Sequence, residues 1–468
     1  MPTVRLRVIV AATLAVIILS IPTQARDTLW TQTYWNGYAD TLSCVAETAD
    51  RGFILTGTSF YSDRWQDDVT LIKTDSLGVV DWSIVLGDAT YDEAGYHVLQ
   101  TLDGGYLVSA RSNIFPGGIQ GVRLYRTDFE GDTLWTTSWC PDNRSAIPQD
   151  AIITEEGNYA ITGQINRAGG NFDDAFILIV DDNGDILDYG FYGDSFFQDS
   201  RFITQMADSG FVIAGNANYV YTTLYDWRAV RTDKYLSVIW DSLYVLTDSY
   251  DFLYGATKTE NGIVMTGLSR GDGWVHGIDF DGNTQFSKSI SISHADEEYH
   301  DISVNADGGL TVAGWVGVAG ANRDYVLINL EPDGDTIWTY TFGGGYNDQC
   351  CQIIPTYDDN FAVGGTSQSF VSGQCFYIGK FEEGCCRYRV GDANGSGDDE
   401  PTIGDISIMI DAKFISVDDD ILPCLGEADV NVSGGRHPTG ADVTIGDITY
   451  LIDYLFVSIG MIELYQCQ

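Results

Sequence analysis

Two stretches near the end of the chain carry oxygen-bearing side chains at alternating positions. The first is Gly391-Asp392-Ala393-Asn394-Gly395-Ser396-Gly397, and the second is Ala428-Asp429-Val430-Asn431-Val432-Ser433-Gly434. Each is followed by Thr-Ile-Gly-Asp, ending at Asp405 in one copy and at Asp447 in the other. Alternation lets every second side chain of a tight loop point inward, a glycine permits the sharp turn, and a carboxylate entering a helix completes the set. A hard cation such as calcium requires this of a single loop. Seven residues separate Gly397 from Asp405 and twelve separate Gly434 from Asp447, and Asp398, Glu400 and Asp442 in these stretches offer further carboxylates. Behind the loops, Ile406 to Phe414 and Ile448 to Phe456 space their apolar residues helically, so each predicted helix has one apolar face.

The elements that precede this segment repeat. From 28 to 384 the sequence returns on itself about every 52 positions, seven times over. Gly52, Gly105, Asn158, Gly210, Gly262, Gly309 and Asn360 each open an apolar strand, and two positions upstream stand Asp50, Asp103, Glu156, Asp208, Glu260, Asp307 and Asp358. An acid followed by Gly or Asn is turn chemistry, because the carboxylate bonds the local backbone while Gly or Asn takes positive φ. Each copy reads as four short strands, and four strands per radial repeat predict a β-propeller. The first strand, around Trp30, stands one strand early, so it should complete the blade built from residues 352 to 382 and close the ring. The expected fold is all-β: a seven-bladed β-propeller over 28–384 followed by a small α-helical calcium-binding domain over 385–468.

A second register puts Trp30, Trp82, Trp135, Trp240, Phe286 and Trp338 after each turn, broken only by Asp188 in the fourth copy. Rings repeated once per blade are expected to fill the space between neighbouring blades. Ligands of propellers usually sit at the mouth of the central channel, where loops lead into the innermost strands. Those loops carry Asp40, Glu93, Asp199, Asp251, Glu297 and Asp348, with Ala146 in the third copy, and the neighbouring loops add Arg64, Trp65, residues 219–227 ending in Trp227, and Trp274. Carboxylates beside aromatics suit sugar rings, so Asp40, Glu93, Glu297, Asp348, Trp65 and Trp227 are the candidate ligand-binding residues.

Asp103-Gly104-Gly105-Tyr106-Leu107-Val108, Leu71-Ile72-Lys73-Thr74-Asp75 and Gly131-Asp132-Thr133-Leu134-Trp135 together resemble the tandem repeats of secreted bacterial propellers. That resemblance implies fold and is almost silent about function. The C-terminal pair of loop–helix units resembles a dockerin module, which in its family docks onto a cohesin domain of a scaffold or cell-surface protein. Carried over residue by residue, that resemblance implies Asp392, Asn394, Ser396 and Asp405 as ligands of one calcium ion and Asp429, Asn431, Ser433 and Asp447 as ligands of a second. The function implied is a non-catalytic binding or display module, its propeller holding a glycan or protein and its tail tethering it through calcium. The alternative is a carbohydrate-active enzyme of polysaccharide catabolism, a glycoside hydrolase or lyase, since dockerins commonly ride on such catalysts and two carboxylates suffice for glycosidic hydrolysis. A quinoprotein-like dehydrogenase is disfavoured: Gly78 to Trp82 resembles that family's tryptophan motif, but the Ala-x-Asp-x-x-Thr-Gly pattern expected upstream is missing.

Composition sets the surroundings. A net charge of −43 disfavours nucleic acid as a partner, because phosphate contacts need clustered Lys and Arg. Arg5 and Arg7, an apolar run from Val8 to Ile21 and Ala25 read as a signal peptide over 1–25, so export to the medium or cell surface is expected, with no membrane span in the mature chain. Nine cysteines in an exported chain suggest disulfides with one thiol left over, and ring closure would bring Cys44 one blade from Cys350 and Cys351, within reach of a bond.

Overall fold

The computed structural model describes residues 28–381 apart from short loop stretches, and then 403–415 and 443–455 apart from position 453. Residues 1–25, expected to be a signal peptide, and the loop residues Asp392, Asn394, Ser396, Asp429, Asn431 and Ser433 lie outside the described residues, as do Arg64 and Trp65. The chain divides into two compact units, Met1–Glu382 and Glu383–Gln468.

The first unit is a seven-bladed β-propeller. Seven antiparallel four-stranded sheets follow one another as blade 1 (residues 40–86), blade 2 (93–139), blade 3 (146–192), blade 4 (202–244), blade 5 (251–290), blade 6 (297–342) and blade 7 (348–381). Blade 7 supplies only three strands from its own sequence. Its fourth is Thr28–Tyr34, paired antiparallel with Cys375–Phe381, so the start of the chain closes the ring as the repeat register requires.

At one end of the propeller the turns do what the repeats predict. Asp50 accepts hydrogen bonds from Thr48 Oγ1 and from the Gly52 backbone N–H, fixing the hairpin between the first two strands of blade 1. The same acids also capture buried cations from the third strand: Lys73 meets Asp50 at 2.9 Å, Lys380 meets Asp358 at 2.7 Å, and Arg126 and Arg231 bond Asp103 and Asp208. All four cations are buried, and a buried charge is tolerable only when paired in this way. Lys380 outweighs the effect of burial on Asp358 and holds that carboxyl down to about 2.

The aromatic register seals the seams between blades. Trp30, Trp82 and Trp135 lie 5.5, 5.8 and 6.4 Å from Phe53, Tyr106 and Tyr159 of the following blade, in edge-on or tilted contact. Gly184, at φ +88°, allows the next turn to close over Trp135: a Cβ there would lie 2.9 Å from the indole. Arg126 Nε adds a bond across the seam to Tyr159 Oη at 3.1 Å.

The innermost strands expose one backbone edge to the channel, and neighbouring blades satisfy it with side chains. Asp150 accepts from Ile203 N at 2.9 Å, Asn216 Oδ1 from Leu253 N at 2.7 Å, Asp301 from Ile353 N at 3.0 Å and Gln352 Oε1 from Val45 N at 2.7 Å. Six of the seven innermost strands carry a bulge at the corresponding place, at Ser43, Tyr96, Gln149, Tyr254, His300 and Cys351. A bulge re-aims the residues around it, which brings two successive side chains to the channel wall.

Thiols depart from expectation. Cys44, Cys140, Cys350, Cys351 and Cys375 are all free, so Cys44 forms no disulfide across the closure. The thiols of Cys44 and Cys351 turn instead to carbonyl oxygens, Val98 O at 3.5 Å and Gly364 O at 3.3 Å.

In the second unit the described elements are two short helices, Ile403–Ile410, continued by a wider turn over Asp411–Ile415, and Ile445–Ile452. Both start one turn earlier than the apolar spacing suggested. Ile406, Met409, Ala412, Val443, Ile448 and Leu451 form one buried cluster, so the predicted apolar faces do meet. Among the described residues no helix is long and apolar enough to cross a membrane.

Candidate ligand site at the channel mouth

The acids expected at the mouth are turned into the blades. Glu93 is 1% exposed and accepts from Asp88 N at 3.0 Å and Tyr125 Oη at 2.7 Å. Glu297 accepts from Ile292 N and Tyr299 Oη, Asp348 from Gly344 N, Ser367 Oγ and Ser369 Oγ, and Asp40 is equally buried. Asp199 and Asp251 behave alike, accepting from Asn216 N and from Leu246 N and Thr247 N. Glu93, Glu297, Asp348 and Asp251 thereby hold the loops that lead into the innermost strands, and Asp199 is tied to the second strand of its own blade. Trp227 is fully buried, edge-on to His276 at 6.5 Å, in the core shared by blades 4 and 5.

A different set of residues lines the channel. The innermost strands place Ser43, Tyr96, Gln149, Arg201, Tyr254, His300 and Cys351 in one register, one from each blade, all half-buried. On blades 4 to 6 they form a continuous stack. The Arg201 guanidinium lies over Phe252 at 4.9 Å and Tyr254 at 5.7 Å, and Tyr254 lies flat on His300, 4.5 Å between ring centres and 11° between planes. His300 Nε2 stands 3.3 Å from Glu298, and Arg201 Nε donates to Asp199 at 3.2 Å. Outward from Phe252 the rings continue through Tyr225 at 5.7 Å to Phe197 and Tyr250, each 5.2 Å from Tyr225. Burial works against the charge of Glu298, but hydrogen bonding and charge from His300, with Tyr254 and Arg323, outweigh it and hold the carboxyl below its usual range. The wall thus offers ring edges and faces, a guanidinium donor and an ionised acceptor side by side.

Deeper in the channel lies a second polar group. His97 Nε2 is 3.2 Å from Asp150 Oδ1. Burial opposes its charge, yet the Cys44 thiol beside it and the carboxylates of Asp150 and Asp301 raise it to about 9. Asp301 is itself pushed up to about 7 by burial. Among the described residues no three His, Cys, Asp or Glu side chains are placed to hold a metal ion.

Of the eight expected calcium ligands, Asp405 falls within the first helix and Asp447 is the one whose side chain is described. Asp447 is fully buried at the start of its helix; Oδ2 accepts from Thr444 N at 2.7 Å and from Thr444 Oγ1 at 2.9 Å, and its own N–H donates to Thr444 O at 3.1 Å. This reciprocal cap explains why the helix begins at Ile445. It also fits a calcium loop, because it fixes a carboxylate at the helix start where the last ligand belongs.

The rings were not singled out from sequence, although a signal existed: at positions where seven blades share a register, Arg201, Tyr254 and His300 are consecutive departures toward large planar side chains. No family model matches the chain, and no curated protein matches it. Among solved structures, a catalytically inactive virginiamycin B lyase from Staphylococcus aureus, crystallised with quinupristin, is similar at TM-score 0.47 and 12% identity, covering 74% of this chain and 98% of that one. The β-propeller domain of the trilobed protease from Pyrococcus furiosus is similar at TM-score 0.44 and 9% identity, covering 74% and 94%. Pyrococcus horikoshii acylaminoacyl peptidase follows at TM-score 0.40 and 10% identity, covering 70% and 49%. Likenesses this distant carry no argument about chemistry, and the propeller stands on its own strand topology.

Proposed function

We propose that the chain is a secreted or cell-surface, non-catalytic binding and display module. Its propeller holds a glycan or protein at the channel mouth, and its dockerin-like tail tethers it by calcium-dependent docking onto a cohesin-like scaffold or cell-surface protein. Asp392, Asn394, Ser396 and Asp405 would hold one ion and Asp429, Asn431, Ser433 and Asp447 the other, and calcium would supply the cross-link that orders each loop against its helix. The observation that carries this reading is the buried, capped Asp447 opening one of two helices that share an apolar cluster, each entered by the same Thr-Ile-Gly-Asp. The binding reading is preferred to a glycosidase because Glu93, Glu297 and Asp348 are engaged with their own backbone, whereas glycosidic hydrolysis needs two carboxyls facing the bond.

Calorimetric titration of the whole exported protein with calcium, after chelation, tests the tether. Saturable calcium-dependent heat with a rise in melting temperature is expected. A flat titration would remove the docking half of the proposal.

A further inference from the structure

Seven innermost strands bring one side chain each to one level of the channel wall, and their sizes are unevenly distributed. Arg201, Tyr254 and His300 on blades 4 to 6 are large, planar and mutually stacked, whereas Cys351 and Ser43, next around the ring on blades 7 and 1, are small. The stacked rings therefore lie on one flank, blades 4 to 6, with Tyr96 on blade 2 the one ring of this register outside the stack, and the small residues of blades 7 and 1 leave room beside His300 for a molecule that lies against the rings. The flank continues outward through Phe252 and Tyr225 to Tyr250, which is 42% exposed and braced from behind by Tyr225.

We propose that this flank is a saccharide site that takes a neutral glycan chain end-on, with Tyr250 stacking on a pyranose ring at the mouth and Arg201, Glu298 and His300 bonding hydroxyls further in. The proposal deepens the binding reading above and rests on its propeller half alone. Three features select this ligand class. A pyranose pairs an apolar C–H face with a rim of hydroxyls, matching rings set beside planar polar groups. Each hydroxyl both donates and accepts, and the wall supplies a donor in Arg201, an acceptor in Glu298 and an imidazole that can serve either way. Finally, a net charge of −43 repels polyanions from the mouth, which disfavours nucleic acids and polyuronates. A flat apolar protein partner is disfavoured as well, since it would dry Arg201 and Glu298 without bonding them.

Affinity electrophoresis and calorimetry of the exported protein in EDTA, with cellohexaose, xylohexaose, mannohexaose and the corresponding neutral polysaccharides, against polygalacturonate, test this directly. Binding of at least one neutral series is expected, unaffected by EDTA and absent for polygalacturonate. Tyr250→Ala should weaken it by about tenfold, the loss of one ring contact, while Tyr235→Ala should leave it unchanged. Tyr235 is the control because it is 71% exposed on a turn at the opposite end of blade 4. Glu298→Gln should weaken binding with the melting temperature held. No neutral glycan bound, preferential binding of polygalacturonate, or full affinity in Tyr250→Ala would each overturn the site. Working in EDTA separates the two proposals, since failed calcium binding leaves this experiment intact.

Discussion

The blades agree at one end of the propeller and disagree at the other. At the hairpin end an acid followed by Gly or Asn recurs in every copy, an aromatic in six of the seven and a paired buried cation in four, because the seams pose similar packing problems. At the mouth, Ser43, Tyr96, Gln149, Arg201, Tyr254, His300 and Cys351 share one register and almost nothing else. In a repeat protein, identity across copies answers a demand that every copy meets, and divergence at a common register marks a demand met by only some. The Cys44–His97–Asp150 group belongs to the second kind, since blades 4, 5 and 7 place Phe202, Gly255 and Gln352 at the register of His97 and blade 6 alone repeats an aspartate there, Asp301.

The comparison breaks most visibly at Arg126. Its guanidinium is buried and joins Asp103, Thr127 O and Tyr159, so Arg126→Ala removes the bond across a blade seam, leaves Tyr159 Oη bonded to Asp182 alone and empties a buried space. We expect a loss of about 3–5 kcal/mol in denaturant unfolding. Tyr250→Ala at the mouth should change stability by less than about 0.5 kcal/mol. Equal effects would erase the distinction between the two ends.

His97 gives the next largest effect. Its folded value, about 9, lies above the ordinary ~6.5, so the imidazolium favours the fold. That contribution is complete below pH ~6.5 and disappears as pH rises through about 9, a loss of roughly 2 kcal/mol in the urea midpoint series. His97→Gln should flatten the profile, and an unchanged slope would mean that Cys44, Asp150 and Asp301 do not hold a charged ring. The contrast is His276, which burial holds down to about 4 among Tyr244 and Trp227, and which stays neutral over the same range.

Glu93→Gln sharpens the division more gently. The carboxylate closes its loop through Asp88 N and accepts from Tyr125 Oη, so about 1–2 kcal/mol should be lost with glycan affinity unchanged. A loss of affinity at constant stability would return Glu93 to the ligand site.

Much of the architecture was legible because turns are local. Asp50 with Gly52, and Trp82 placed against Tyr106, encode blade after blade, and the early strand at Trp30 announced the closure. The mouth was not legible for two reasons. Its rings come from blades 4 to 6 and meet only once the ring is built. The strand pattern also alternates with period two, so a slip of one residue exchanges the two faces. Asp251 enters the blade while its neighbour Phe252 faces the channel, and the bulges at Tyr254 and His300 shift the count again.

The smallest expected effect concerns Asp447, and it decides how the second unit compares with the first. As a cap alone, its replacement by Ala should cost about 1 kcal/mol in the exchange protection of the Ile448 and Leu451 amides, with or without calcium. As a ligand, it must also carry charge to the ion. Asp447→Asn separates the roles, because an asparagine oxygen can still accept from Thr444 while the negative charge is gone. If calcium heat falls in Asp447→Asn with amide protection retained in calcium-free buffer, the residue binds metal through a scaffold that the cap builds beforehand. If heat and protection are both unchanged, Asp447 is a capping residue only, and the tail loses its best-placed ligand.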